Sequence, residues 1–267
     1  MSSALDPAAL ARAAAAAGLP GAAIAVCRVD GAGAGTLVTA GPREDWPAAS
    51  MIKVPLAVAA AAAVERGELT YEQPVRVEAA NLTHNDAPSP LAAGVTSTLG
   101  ELLFLAVARS DNVATNVLFD VLGRERAGAD LAALGFPGTV FRRKLSGAEP
   151  LITDPGATGR NSHPPDEAAR LFAALADGTV PGAPRVRAAL AAQYWNGKLS
   201  LGLAPGDRFE HKTGDTDSVS HDGGILTLAG GAAWALAVYT RVVSPDVDPR
   251  FAALMRSLRP ALANALA

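Results

Sequence analysis

The sequence predicts an α+β fold: an antiparallel sheet of about five strands, built from both termini and flanked by helices, with an all-helical lobe inserted between its two parts. Two observations support this prediction. Apolar, strand-like segments cluster near the two ends of the chain, at 22–29, 36–39, 209–213, 223–228 and 232–243. Between the two clusters the sequence has mainly the apolar periodicity of helices, apart from a short extended piece at 73–77.

The composition is that of a packed globular protein. The 267 residues are 49% hydrophobic and 18% charged, and their net charge of −3 gives no reason to expect nucleic-acid or membrane-surface binding. No uncharged apolar run reaches the roughly 18 residues that span a membrane. The four histidines lack the paired spacing of metal ligands, so we expect no metal and no cofactor. The single cysteine, Cys27, is expected to be buried.

The first part of the chain is expected to form a helix and then a hairpin. Asp6 and Pro7 have the character of an N-cap and a first-turn proline, and predict a helix over the alanine-rich residues that follow. Glycines alternate through 30–35, between the first two strands, and favour a hairpin turn. A loop over 42–47 then leads to Ser50, where the next helix is expected to begin.

Helices are predicted through the middle of the chain and at its end. Their approximate ranges are 50–67, 98–109, 113–122, 124–134, 166–176, 185–194 and 246–265. Two segments, 81–90 and 141–165, are rich in loop-forming residues. A structureless loop as long as the second one is usually functional in a compact domain.

This order of elements predicts two lobes. Residues 1–48 and 195–267 are expected to form the α/β sheet lobe, and residues 49–194 the helical lobe. Junctions between such parts are where ligand clefts usually form, so we expect the active site in the cleft between the lobes.

A candidate nucleophile lies at the start of the helical lobe. Ser50 and Lys53 are three residues apart, a spacing that places both side chains on one face of a helix. A neighbouring amine can activate a serine hydroxyl as a nucleophile. The chain has only four lysines against nineteen arginines, and lysine, unlike arginine, can lose its proton when desolvated. The alternative is that Ser50 caps the helix and Lys53 is solvated.

Three short motifs occur in order along the chain: Ser50-Met51-Ile52-Lys53, Ser110-Asp111-Asn112 and Lys212-Thr213-Gly214. The patterns S-x-x-K, S-D-N and K-T-G are the signature set of class A β-lactamases and penicillin-binding proteins. Over nearly its whole length the chain resembles this family, which implies a β-lactamase/transpeptidase-like fold and a serine hydrolase. Each motif taken alone is also compatible with a helix cap or a strand end.

The resemblance assigns roles to the first two motifs. Ser50 would attack a lactam or amide carbonyl and become acylated, and Lys53 would help to take its proton. Ser110 would relay a proton to the leaving nitrogen. Asn112 would hold the substrate's side-chain amide and orient Lys53.

The third motif would bind the substrate. The resemblance implies that Lys212, Thr213 and Gly214 line the substrate site, with Lys212 supplying positive charge and Thr213 binding a substrate carboxylate. The backbone N–H groups of Ser50 and Asp215 would form the oxyanion hole, whose donors are worth a few kcal/mol each in the transition state.

The long loop departs from the family pattern. Members that hydrolyse the acyl-enzyme rapidly carry a glutamate there, followed by an asparagine, and together these position the deacylating water. Glu149-Pro150 resembles that glutamate and the residue after it, whereas Thr153 stands where the asparagine would be. The alternative is that Glu149 is a solvated loop carboxylate.

Two further departures lie beside the third motif. Asp215 follows it directly, and its carboxylate is expected to offset the charge of Lys212 and to disfavour an anionic substrate. His221-Asp222 would either replace an arginine that holds the substrate carboxylate in some members or, as we prefer, steady the entry to the next strand.

Three functions remain open at this point. The first is a class A β-lactamase-type hydrolase that uses Ser50, Lys53, Ser110 and Glu149. The second is a penicillin-binding-type peptidase or amidase, or a cytoplasmic biosynthetic hydrolase on the same scaffold. The third is a sensor that is acylated once and not released. We expect a small β-lactam or peptide-like amide as substrate and a monomer. The N-terminus lacks the basic region of a signal peptide, so we expect a cytoplasmic location for the chain as it stands, or a secreted one if a leader has been removed.

Overall fold

The computed structural model describes residues 5–31 and 35–265. In chain order the strands are β1 (Ala23–Val29), β2 (Leu37–Ala40), β3 (Pro74–Arg76), β4 (Thr96–Thr98), β5 (Arg208–Asp215), β6 (Ser220–Thr227) and β7 (Ala233–Thr240). The helices are α1 (Pro7–Ala16), α2 (Lys53–Glu65), α3 (Leu99–Ala108), α4 (Asn112–Leu122), α5 (Arg124–Ala133), α6 (Pro165–Asp177), α7 (Ala183–Ala191) and α8 (Val247–Asn264).

The chain divides into two compact units. The first contains residues 1–51, 163–179 and 195–267, and the second contains 52–162 and 180–194. The sequence places all of 49–194 in the helical lobe, whereas the structure groups 163–179 with the sheet. The reason is that α6 packs against β1 and β7.

The first unit is built on a five-stranded antiparallel sheet in the order β2-β1-β7-β6-β5. Helix α6 covers one face, where Phe172 packs so close that a Cβ on Gly223 would stand 3.2 Å from its ring. On the other face, residues of α1 and α8 form a buried core with Leu226, Trp234 and Leu236 of the sheet. Strand β5 is left at one edge of the sheet. The predicted α+β class with a sheet built from both termini is confirmed.

The second unit is mainly helical and also contains the short antiparallel strand pair β3–β4 and the long loop after α5. Its centre is α2, in which residues 53–63 are all buried. A helix that is buried on every side needs a continuously apolar sequence, which the run after Lys53 supplies. Helices α3, α4, α5 and α7 pack around it.

The start of α2 differs from the prediction. Ser50 does not begin an α-helix: it lies in a 3-10 turn, Ala49–Ile52, and α2 begins at Lys53. Ile52 occupies the N-cap position and makes no side-chain cap. Ser50 is therefore not a helix cap. The predicted hairpin turn at 30–35 includes 32–34, which lie outside the described residues.

None of the helices in 5–31 and 35–265 has the length and hydropathy to cross a membrane. The same residues hold no group of three or more His, Cys, Asp or Glu side chains arranged to bind a metal ion.

Candidate active site

In the second unit, Lys53 lies at the centre of a polar cluster. Its side chain is fully buried, and its Nζ donates hydrogen bonds to Ser110 O at 2.6 Å, Ser110 Oγ at 3.0 Å and Asn112 Oδ1 at 2.7 Å. A buried amine is tolerated only when its hydrogens are satisfied in this way. The structure thus joins the first and second motifs, and Lys53 is not the solvated first-turn residue of the alternative interpretation.

The turn that presents Ser110 and Asn112 is held from both sides. Asp111 caps α4 by accepting a hydrogen bond from Ala114 N at 2.9 Å, and its own N–H donates to Leu105 O at the end of α3. Ser110 has a φ of +58°, which is uncommon for a residue with a side chain. Such backbone costs on the order of 1–3 kcal/mol and is typical of functional sites.

Asn112 links this cluster to a neighbouring loop. Its Nδ2 donates to His84 O at 2.9 Å, while its backbone N–H donates to Asn85 Oδ1 at 2.6 Å. Gly147 lies against the same point, because a Cβ there would be 2.0 Å from His84 O and 3.1 Å from Asn112 Nδ2. Both ends of the Asn112 amide are therefore oriented, and the start of the long loop touches it.

The base of the long loop is fixed by buried polar side chains. Asn116 pairs with the backbone of Leu145, accepting from its N at 2.7 Å and donating to its O at 2.9 Å. Asp154 accepts from Lys144 N at 2.7 Å and forms an ion pair with Arg124. These contacts hold 144–154 onto α4 and α5 without regular secondary structure.

Glu149 lies on the exposed part of this loop. Its Oε2 accepts a hydrogen bond from Leu151 N at 3.1 Å, two residues further on. Thr153 is also exposed. The structure thus shows the Glu149 carboxylate engaged with its own loop, and its assignment as the deacylating base stays a prediction.

In the first unit, Ser50 lies in the 3-10 turn next to strand β5. Ala49 just before it has a φ of +45°, a second uncommon backbone conformation beside a candidate serine. A Cβ on Gly214 would stand 3.1 Å from Ser50 N and 3.2 Å from Met51 N. The third motif therefore ends in glycine because the backbone of the Ser50 turn passes at contact distance.

Besides the N–H of Ser50, the free edge of β5 offers the backbone N–H of Asp215 as a hydrogen-bond donor. Thr216 N donates to Val219 O at 3.0 Å across the hairpin that follows β5. Hydrogen-bonded and non-hydrogen-bonded pairs alternate in an antiparallel ladder, so the next pair, Asp215 and Ser220, is not hydrogen bonded. The N–H of Asp215 accordingly points off the edge of the sheet, beside Gly214.

Lys212 and Thr213 are buried on this strand. Lys212 is fully buried and its Nζ donates to Thr213 O at 2.7 Å, while Thr213 is 6% exposed. Successive residues of a strand face opposite sides of the sheet, so Thr213 and Asp215 share one face and Lys212 and Gly214 the other.

The partner of Asp215 is not the predicted one. Its two carboxylate oxygens each lie 2.7 Å from Lys198 Nζ, and Ser220 Oγ donates to Oδ1 at 2.7 Å. The sequence predicts that the Asp215 carboxylate offsets the charge of Lys212. The predicted partner is wrong, because Asp215 pairs with Lys198 instead.

His221 is a packing residue. It is fully buried, stacks on the Tyr239 ring at 4.0 Å, and pairs through Nε2 with Pro47 O at 2.8 Å. Burial lowers the pKa of His221 to about 4, so the ring is neutral at pH 7. Asp222 pairs with His211 Nδ1 at 2.9 Å rather than with its sequence neighbour. A buried neutral ring does not replace an arginine that holds a substrate carboxylate.

Sequence reasoning missed Lys198 and Ser220, which belong to no motif. One signal was available in the sequence, which has only four lysines. In the structure all four are buried, with exposed fractions of 0% for Lys53, 8% for Lys144, 4% for Lys198 and 0% for Lys212. In a chain that otherwise uses arginine, each lysine thus marks a buried polar cluster.

The fold and the two motif clusters define the class of β-lactamase-like and penicillin-binding-like proteins. A sequence model of the beta-lactamase enzyme family matches residues 11–266, so the chain belongs to that family, and the resemblance inferred from the three motifs is confirmed.

One relative and two solved structures are similar to this chain. The BlaB protein of Streptomyces cacaoi, described as a β-lactamase regulatory protein, is 25% identical, and the alignment covers 84% of this chain and 87% of that protein. A β-lactamase from Sphaerobacter thermophilus is 25% identical, with a TM-score of 0.77 and coverage of 97% and 98%. A variant of PBP-A, solved as an acyl-enzyme complex with penicillin G, is 23% identical, with a TM-score of 0.81 and 96% coverage of both chains. At 23% identity, the likeness to PBP-A shows a shared fold and nothing more.

Proposed function

We propose that this protein is a serine acyl-transfer enzyme in which Ser50 opens a β-lactam amide and forms an acyl-enzyme. The observation that carries the proposal is the position of Lys53, fully buried and bonded to Ser110 and Asn112. Only two residues, Met51 and Ile52, lie between Ser50 and Lys53 in the sequence, so chain continuity keeps the hydroxyl and the amine near one substrate.

The chemistry follows from the hydrogens around Lys53. As an ammonium, Lys53 donates to Ser110 Oγ; as a neutral amine it has one hydrogen fewer, and the Ser110 hydroxyl donates to it instead. The amine takes the Ser50 proton as the oxygen attacks the lactam carbonyl. Ser110 passes its proton to the lactam nitrogen as the C–N bond breaks and takes a proton from Lys53, which returns the amine to its neutral form. The products are an ester on Ser50 and a free amine within the opened ring.

Backbone donors would stabilise the developing oxyanion. Ser50 N, beside Gly214, and the outward-pointing N–H of Asp215 are the two candidates. Removing one such donor in other enzymes costs about 100- to 1000-fold in rate. Lys212, Thr213 and Gly214 would hold the substrate along β5, and Asn112 Nδ2 would bind its side-chain amide.

Two relatives support a β-lactam as the substrate. The Sphaerobacter thermophilus protein is a β-lactamase, and the PBP-A variant holds penicillin G as an acyl-enzyme. Hydrolysis of the ester would then need an activated water, for which Glu149 is the proposed base. Release of the opened lactam would complete a class A-type turnover.

A time course of intact-protein mass spectra after mixing with benzylpenicillin tests this function. We expect the mass to rise by that of one penicillin and then to return to its starting value, because acylation is followed by hydrolysis. Ser50→Ala should show no adduct, because the attacking oxygen is gone. If Ser50→Ala acquires the same adduct as the wild type, or if folded wild type acquires none, the proposal is wrong, and the second result favours a peptidase or amidase.

A specific observation favours a second candidate, a sensor that stays acylated. Glu149 binds the backbone of its own loop, Thr153 replaces the expected asparagine, and the BlaB relative is described as regulatory. The same time course separates the two functions, since a sensor keeps its adduct. Glu149→Gln distinguishes the role of the glutamate: it should prolong the adduct in a hydrolase and leave its lifetime unchanged in a sensor.

A further inference from the structure

A compact charged cluster lies directly after the third motif, within the first unit. Lys198 Nζ donates to both oxygens of Asp215 at 2.7 Å and to His221 O at 3.0 Å, which uses its three hydrogens. Ser220 adds a third hydrogen bond to the carboxylate. A cation and a hydroxyl arranged in this way form an anion-binding site, and Asp215 already occupies it from within the chain.

The exposed member of this ion pair is the carboxylate. The Asp215 side chain is 56% exposed, whereas that of Lys198 is 5% exposed and packs over the Phe251 ring. Asp248 lies close by, and its pKa is raised by burial, an effect that Asp215 and Asp222 reinforce and Lys198 opposes. The charge that this ion pair exposes is therefore the carboxylate of Asp215, which makes the surface beside it negative.

This negative surface borders the proposed reaction centre. Asp215 is the next residue after Gly214, which abuts Ser50 N. Its side chain shares a strand face with Thr213, roughly 7 Å along β5 at the usual rise per residue. Lys212 lies on the opposite face of the strand. A ligand group that reaches Thr213 therefore meets the Asp215 carboxylate before it meets Lys198.

We propose that Asp215 is a specificity-determining residue, which makes this site select substrates whose group next to the scissile amide is cationic or uncharged rather than anionic. A substrate carboxylate on the Thr213 face of β5 would be repelled by Asp215 and would find Lys198 already neutralised. Lys212 would act on the substrate from the other face of the strand. An ammonium or a neutral N–H donor would be attracted to the exposed oxygens. This inference rests on the proposed acylation of Ser50 and names the substrate class of that site.

Three probes of one scaffold test the proposal: benzylpenicillin, its methyl ester and its diethylaminoethyl ester are anionic, neutral and cationic at pH 7. The rate of Ser50 acylation by each is measured by mass spectrometry for the wild type, Asp215→Asn and Asp217→Asn. Asparagine keeps the shape of Asp215 and can still accept from Lys198. Asp217 is an exposed carboxylate in the same hairpin, so Asp217→Asn makes the same change in net charge as the matched control.

In Asp215→Asn we expect the acid-to-cation ratio of acylation rates to rise about tenfold. This estimate comes from the Coulomb energy between Asp215 and a ligand charge at Thr213, roughly 7 Å away. Comparing ratios between proteins cancels the intrinsic reactivity of the esters. Asp217→Asn should leave the ratio within about twofold of wild type, because exposed charges further away are screened. If adducts form but the acid-to-cation ratio changes no more in Asp215→Asn than in Asp217→Asn, this inference is wrong while the proposed function stands.

A measurement on the wild type covers the case in which Asp215→Asn does not fold. Raising the ionic strength from about 50 mM to about 500 mM should raise the acid-to-cation ratio of acylation rates. The reason is that salt screens the partly exposed charge of Asp215. A salt-independent ratio contradicts the proposal. If none of the three probes forms an adduct with the folded wild type, the proposed function is wrong. The inference, which rests on acylation of Ser50, is then wrong as well.

Discussion

Replacing Lys53 with methionine is expected to lower the rate of Ser50 acylation by about 1000-fold, the middle of the range for a positioned proton acceptor. Methionine fills a similar volume but neither accepts the Ser50 proton nor binds Ser110 Oγ and Asn112 Oδ1. The loss should appear in the acylation step measured with benzylpenicillin at saturating concentration, rather than in binding.

Lys144→Met is the matched control for this substitution. Lys144 is the other buried lysine of the second unit, and its Nζ donates to Asp120 Oδ2 at 2.6 Å, away from the motifs. Breaking this pair should reduce stability but leave acylation within a few-fold of wild type. If Lys53→Met is acylated as fast as Lys144→Met while both remain folded, Lys53 does not take the Ser50 proton.

Gly224→Ala is expected to destabilise the first unit by about 3 kcal/mol or more, near the upper end for overpacking. Gly224 lies on β6 opposite His211 of the edge strand. A Cβ there would be 2.2 Å from Glu210 O and 2.6 Å from His211 Cα. Backbone atoms cannot rotate aside as a flexible side chain does, so β5 would have to move away. Thermal unfolding should show a midpoint lower by about 6–12 °C for a domain of this size.

Gly128→Ala provides a control with the opposite sign. Gly128 lies within α5, and a Cβ there would meet nothing within 4 Å. Alanine should raise stability by about 0.5–1 kcal/mol, because it reduces the freedom of the unfolded chain and favours the helix. Equal midpoints for the two variants would show that the approach of β5 to Gly224 is not a rigid constraint.

Most secondary structure was predictable from the sequence because its signals are local. Asp6 and Pro7 mark the start of α1, Gly123 separates α4 from α5, and apolar runs bounded by turn residues mark β6 and β7. The three motifs also predicted the family, because each depends on residue types at fixed spacing. The sparing use of lysine pointed to Lys53, but the sequence left open whether its amine is solvated, and its burial is a finding of the structure.

The partners of charged groups were not predictable in the same way. Asp215 follows Lys212 closely in sequence but pairs with Lys198, seventeen residues away, because side chains alternate across the strand. The 3-10 turn at Ser50 was read as the first turn of the α-helix, because both have similar spacing and neither carries a distinctive residue. The orientation of Glu149 was not predictable either, because the residue lies in a loop whose sequence has neither the helix nor the strand period.

The sequence by itself determined which elements form, which residues carry reactive groups, and which family the chain belongs to, since these follow from apolar period, capping residues and short motifs. Only the tertiary structure decided what each reactive group touches: Lys53 with Ser110 and Asn112, Asp215 with Lys198 and Ser220. The physical reason is that a buried charge is satisfied by whichever polar atoms the packing brings within about 3 Å, and packing joins residues that are far apart in the chain.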